Sequence, residues 1–136
     1  MSTAKINTQF SIFLVNKPGV LGSVTSALSK AGINIFALSL ADSGEHGVLR
    51  IVGNDDEAIR NALQESHDRW TETDVIVIPI ENTPGAFAGI ASRFSENNID
   101  ISYSYCTASE DGGETAAVFK CKDMQKAMEL FQPLRD

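Results

Sequence analysis

The sequence predicts an α+β protein built as two similar units in tandem, each an antiparallel sheet with its helices on one face. Three observations lead there. The stretch from Phe13 to Ile35, FLVNKPGVLGSVTSALSKAGINI, is rewritten from Ile78 to Ile101 as IPIENTPGAFAGIASRFSENNIDI, and a repeat of fixed period constrains the architecture before any single element does. Each copy passes from an apolar strand-like run through Asn-x-Pro-Gly into apolar residues at helical spacing. Each copy is then followed by turn chemistry, a further strand and a helix that starts at a polar cap.

In the first unit, Phe10 to Val15 is rich in Phe, Ile and Val and reads as a strand. Pro18 suits a first helical residue, whose N–H is unpaired in any case. Leu21, Val24, Ala27 and Leu28 then fall on one helix face, and Gly32 supplies a left-handed cap. Ile33 to Ala41 is the second strand, DSGEHG (Asp42 to Gly47) a turn, and Val48 to Val52 the third strand. Asn54 with Glu57 resembles a capping box, ahead of a helix that turns Ile59, Ala62 and Leu63 inward. Arg69 to Thr73 supplies a last strand that runs almost directly into Val75.

The second unit repeats this order. Val75 to Ile80 is a strand, Phe87, Ile90, Ala91 and Phe94 a helix face, and Asn98 takes the place of Gly32. Ile99 to Cys106 and Thr115 to Cys121 are strands around TASEDGGE, and Asp123 caps a helix with Met124, Ala127, Met128 and Phe131 inward. QPLRD is too short for a final strand and carries Pro133, so the second sheet lacks a strand or borrows one. The order β-α-β-β-α plus a last strand is that of a ferredoxin-like βαββαβ fold. The units are expected at residues 1–73 and 74–136.

Strands covered on one face alone should alternate apolar with polar residues. Here Phe10, Ile12 and Leu14 point one way and Phe13 and Val15 the other, and Phe36, Leu38 and Leu40 oppose Ile33 and Ile35. The face without helices is therefore expected to be buried, with Phe36, Leu38 and Leu40 inaccessible. A sister unit or another chain would cover it, and a homodimer is expected.

The chain has 136 residues, 43% hydrophobic and 21% charged, with a net charge of −7. An acidic balance argues against binding phosphate backbones or anionic membranes. No apolar run reaches membrane-spanning length and the first residues lack a secretory apolar core, so a cytoplasmic protein is expected. Cys106 and Cys121 lack metal-ligand neighbours and read as buried free thiols, with a disulfide as the alternative.

His46 beside Glu45 and Asp42 reads as an exposed turn residue, and His67 as a residue at a helix end. SEDGG (Ser109 to Gly113) is too short for a calcium loop, and no phosphate-binding glycine motif is present. Tyr103 and Tyr105 share one strand face and read as packing residues or as the lining of a cleft. No catalytic residues, metal or cofactor are expected.

Asn16-Lys17-Pro18-Gly19-Val20-Leu21, followed by SKAGINI and GVLRIV, resembles an ACT domain, and Asn82-Thr83-Pro84-Gly85 with SENNIDI resembles a second one. The resemblance covers about Gln9 to Leu134, and the chain is similar to stand-alone tandem ACT-domain proteins. It implies regulatory binding of a free amino acid at an interface between paired units, near the loop joining first strand to first helix. Carried over by position, one site comprises Asn16, Gly19, Val20, Leu21 and Asn34. The other comprises Asn82, Gly85, Ala86, Phe87 and Asp100. A helix N-terminus favours a carboxylate, and glycine admits its close approach. The alternative is that Asn-x-Pro-Gly only builds a turn, Asn capping the helix. Two functions follow: an amino-acid sensor that signals to a partner, or a constitutive regulatory subunit of a metabolic enzyme with a vestigial site.

Overall fold

The computed structural model describes residues 4–15, 17–43, 46–66, 68–107, 114–132 and 134–135. The chain divides into two compact units, one of Thr8–Thr73 and one of Met1–Asn7 with Asp74–Asp136. The elements are β1 (Lys5–Val15), α1 (Val20–Lys30), β2 (Ile35–Ser43), β3 (His46–Gly53), α2 (Asp56–Glu65), β4 (Arg69–Glu81), α3 (Ala86–Glu96), β5 (Ile101–Cys106), β6 (Glu114–Cys121), α4 (Met124–Phe131) and β7 (Leu134–Arg135). The result is two βαββαβ units with antiparallel β2–β3 and β5–β6 hairpins.

In the unit of Thr8–Thr73 the strands lie in the order β2-β3-β1-β4. Phe10, Ile12 and Leu14 of β1 and Leu49 and Ile51 of β3 share one face, set by the register Phe10↔Ile51 and Ile12↔Leu49. That face packs on Val24 and Leu28 of α1 and on Ile59, Ala62 and Leu63 of α2. Gly32, at φ 77°, ends α1. Its N–H donates to Ser29 O, and Ile33 N donates to Leu28 O, which closes a Schellman motif with Ile33 and Leu28 both in the core.

Two expectations about helix starts are corrected. Asp55, not Asn54, caps α2, its carboxylate accepting from Ala58 N at 3.1 Å. Asn54 instead accepts from Asn34 N through Oδ1 at 2.9 Å and donates its own N–H to Asn34 O at 3.1 Å. Pro18 is not the first helical residue, because α1 begins at Val20 after the left-handed Gly19. From the middle of α2, Arg60 makes a two-pronged pair with Glu72 at 2.8–3.0 Å. The Arg60 hydrogen bonds hold the Glu72 carboxyl below the usual carboxylate range, against the opposing pull of its partial desolvation.

The expected burial of Phe36, Leu38 and Leu40 is not supplied within the chain. They are 45%, 46% and 51% exposed. A bulge between Ile35 and Ala37 also corrects the face to which Leu38 and Leu40 were assigned: Ile35 pairs with Gly53 but Ala37 pairs with Val52. The extra residue moves every later side chain of β2 to the opposite face. Leu38 and Leu40 thus lie across from Ile51 and Leu49, on the helix-covered face, at the edge strand where that cover ends. The face without helices carries Gln9, Ala37 and Val52, all buried, and, near the end of β1, the exposed Phe13 and Val15.

In the other unit β4 continues from Asp74, and the order is β1-β4-β6-β5, with β7 parallel to β1 through Lys5↔Leu134 and Ile6↔Arg135. QPLRD does supply a strand, the two-residue β7, which corrects the expectation that it is too short for one; but β7 pairs with β1, and the place beside β4 is taken by the first residues of the chain, where Ile6 is buried in this unit's core. Around it lie Ile76, Ile78, Ile99, Ala117 and Phe119, and Phe94 sits with its ring 4.9 Å from Phe119 and 5.0 Å from Phe131. The first unit's details recur. Asn98 replaces Gly32 at φ 55°, Asp123 caps α4 as Asp55 caps α2, and β5 bulges between Ile101 and Tyr103.

The cysteines are both free, but only Cys121 is buried; Cys106 is exposed at the end of β5. Burial pushes the Cys121 thiol up to about 11, so it stays protonated and unreactive well above neutral pH. A thiol-specific reagent at about pH 8 is expected to label one cysteine per native chain, Cys106, and the second only after unfolding. Mapping the labelled peptides checks this; modification of Cys121 in the folded protein would contradict it.

Candidate functional site

Asn-x-Pro-Gly builds a reverse turn that ends in a helix start. Val20 N donates to Lys17 O at 3.5 Å and Ala86 N to Thr83 O at 3.2 Å. Gly19 (φ 91°, ψ −15°) and Gly85 (φ 86°, ψ −9°) occupy the third turn position. Pro second and a left-handed Gly third is the residue pattern of a type II turn. Because glycine is itself the N-cap, no side chain caps α1 or α3. Val20 N and Ala86 N are held by the turn itself, so a ligand at either end would meet the N–H groups that follow them, with the positive end of the helix dipole behind.

At this end of α1 the unit of Thr8–Thr73 holds an open cavity of about 300 Å³. Its walls are Leu14 and Val15 of β1, Val20 and Leu21 of α1, and Leu40 and Gly47 of the β2–β3 hairpin; Lys17 and Asp42 add one charge of each sign. The register explains the convergence. Gly47 lies opposite Leu14 on one side and Asp42 on the other, which sets the hairpin's end beside the end of β1.

Of the first set of expected site residues, Val20 and Leu21 line this cavity and Gly19 caps the helix that carries them. Asn34 follows the opposite end of α1, roughly 16 Å along an 11-residue helix, with its backbone tied to Asn54. Asn16 lies outside the described residues. In the second set, Gly85 caps α3, Ala86 and Phe87 form its first turn, and the exposed Asn82 precedes the turn. The Phe87 ring stacks on Phe119 at 5.6 Å. Asp100 is again at the far helix end, beside Phe94 and Asn98 around a depression of about 380 Å³. Glu45, His67 and Ser109 to Gly113 also lie outside the described residues, and His46 begins β3 as an exposed residue.

Sequence reasoning missed Leu14, Lys17, Leu40, Asp42 and Gly47. Asp42 and Gly47 bracket the DSGEHG turn, so a hairpin register would have brought them to the end of β1. Leu40 was hidden by the bulge. Among the described residues no group of three or more His, Cys, Asp or Glu is placed to hold a metal ion, and no helix is long and apolar enough to cross a membrane.

No curated protein sequence matches the chain. A solved protein from Bacteroides thetaiotaomicron is 34% identical, with a TM-score of 0.85 over 96% of this chain and 90% of that one. The ligand-free regulatory subunit of aspartate kinase from Thermus thermophilus shares the fold at 13% identity, TM-score 0.69, over 96% and 93% of the two chains. The corresponding subunit from Thermus flavus does so at 15% identity and TM-score 0.60, over 96% and 95%. The model of the ACT domain pair matches residues 5–133. With almost the whole length matched, and with the Pro-Gly turn, capped helix and bulged hairpin built twice, the chain belongs to the ACT domain pair family.

Proposed function

We propose that the protein is a regulatory rather than a catalytic one: it binds a free amino acid and passes the event to a partner, in the cytoplasm. One observation carries this reading, the cavity at the uncapped start of α1 with Lys17 and Asp42 at its wall. An amino acid is a zwitterion. Its carboxylate suits first-turn N–H groups and a lysine, its ammonium suits an aspartate, and its side chain suits Leu14 and Leu40. The likeness to aspartate kinase regulatory subunits supports a regulatory role, and a metabolic enzyme is the partner we infer. A homodimer belongs to the same proposal. The exposed Phe36, Leu38 and Leu40 on edge strand β2 support it, since a second chain covering them would remove apolar surface from water. Sedimentation at micromolar concentration tests that part; a monomer counts against it.

A melting-temperature screen of the twenty amino acids tests the ligand. At about 100 times its dissociation constant, a ligand bound only to the folded form stabilises it by roughly 2.7 kcal/mol. For a chain of this size that is a rise of several degrees. Gly19→Val should abolish the rise, because the side chain blocks the backbone approach and strains a φ of 91°. Nothing lies within 4 Å of a Cβ built there, so the cost of the change is backbone strain rather than a clash, and the rise is read against the variant's own melting temperature without ligand. Gly85→Val should matter less. The second reading is a constitutive subunit of an enzyme with a vestigial site, favoured by the same exposed apolar residues. A screen with no shift, and an enzyme that co-purifies, would move the conclusion there.

A further inference from the structure

The two units build the same turn, but they do not leave the same space. Gly47 sits on the cavity wall, where an added Cβ would lie 3.4 Å from Leu40 Cδ1 and 4.0 Å from Leu14 Cβ. In the other unit the same place on the hairpin strand is held by Thr115, which is buried and donates its hydroxyl to Ile80 O at 3.3 Å. The register makes the equivalence: Gly47 pairs with Leu14 in β1 as Thr115 pairs with Ile80 in β4. Where Leu21 stands back at the cavity, Phe87 lays its ring over Phe119. Where Leu40 offers an apolar wall, the equivalent residue after the second bulge is Cys106.

Resting on the amino-acid reading above, we infer that the cavity selects an α-amino acid with an apolar, branched or long side chain, and that each chain takes one, in the unit of Thr8–Thr73. Lys17 and Asp42 supply one charge of each sign and so match the two charges every α-amino acid carries. They leave no unmatched charge for a charged side chain. The other side chains of the wall, Leu14, Val15, Val20, Leu21, Leu40 and Ala41, are all hydrocarbon, and none of them can pair with a second carboxylate or ammonium. A polar side chain would lose water there without a partner. Selection among apolar side chains then follows size, because each missing methylene in such a pocket weakens binding by about tenfold or more.

Titration calorimetry on the full chain with leucine, isoleucine, valine, methionine, alanine, aspartate and lysine tests this. The expected result is binding of the larger apolar members with one site per chain, and alanine weaker than leucine by at least about tenfold. Gly47→Thr should abolish leucine binding while its melting temperature without ligand stays near that of the wild type, since the added Cβ meets ordinary contact distances. Leu21→Asp, at a partly exposed wall residue outside the apolar patch of β2, should weaken leucine by a comparable factor without unfolding the protein. Tighter binding of aspartate or lysine than of leucine would overturn the side-chain class and leave the amino-acid reading standing. Leucine binding at two sites per chain, or undiminished in Gly47→Thr, would overturn the location. If none of the twenty amino acids binds, the amino-acid reading fails, and this inference with it.

Discussion

Phe94→Ala is expected to cost about 3–5 kcal/mol of stability, enough to lower the melting temperature by roughly 10 °C or more. Phe94 is 1% exposed on the inner face of α3. Its ring meets Phe119 from β6 at 4.9 Å and Phe131 from α4 at 5.0 Å, at interplanar angles of 35° and 46°. It is thus the common neighbour through which both helices and the sheet of this unit are packed. Truncation removes the transfer free energy of a whole aromatic side chain and leaves a cavity between rings that cannot close without moving a helix. The aromatic pairs add about 0.5–1.5 kcal/mol each beyond buried area. Phe87→Ala is the control. Phe87 touches Phe119 at 5.6 Å but is 38% exposed, so solvent fills its space and the loss should be clearly smaller. Urea unfolding of both variants measures the difference. A Phe94→Ala loss under about 1 kcal/mol, or a larger loss for Phe87→Ala, would show that the ring cluster does not hold this unit together.

The parts of this fold that could be read from the sequence are those governed by local chemistry. The residues after Gly32 and Asn98 had to be preceded by a left-handed cap, and both residues adopt it. The helix faces followed from spacing alone, and so did the inward face of β1, where Phe10, Ile12 and Leu14 are buried and Phe13 and Val15 are not. Two things escaped. The bulge after Ile35 depends on how β2 meets β3 and has no local signature in Ile-Phe-Ala-Leu; a one-residue shift reversed the assignment of Leu38 and Leu40. For the candidate site, the sequence gave up only the residues next to the Pro-Gly turn. Asp42, Gly47 and Leu14 are far apart in the chain and meet only through strand register, while Asn34 is near in sequence but belongs to the other end of α1. A motif marks where a helix starts; what lies across from it is set by pairing.

The start of the chain is expected to be structural for the second unit, so that Ile6→Ala costs about 2–5 kcal/mol. Ile6 is 3% exposed and belongs to the cluster of Ile76, Ile78, Phe94 and Phe119, with Ala4 packed at its border. Lys5 and Ile6 also carry the parallel pairing with β7. Without this strand the sheet of Asp74–Asp136 would end at β4, whose Val75 and Ile76 are fully buried and whose backbone would then be an open, apolar edge. Lys5→Ala is the comparison on the same strand: its side chain is exposed and belongs to no core cluster, so its loss should be clearly smaller than that of Ile6→Ala. Hydrogen exchange locates the damage. In Ile6→Ala, amides of the β4 segment after Asp74 and of β6 should lose more protection than those of β2 and β3, whose core contains no part of Met1–Asn7. Fluorescence of Trp70, the single tryptophan, reports the other cluster, against which it packs, and should change less than the exchange of β6. If β2 and β3 open first, or if stability falls by less than about 1 kcal/mol, the first strand does not complete the second unit, and the missing strand of that unit must come from another chain.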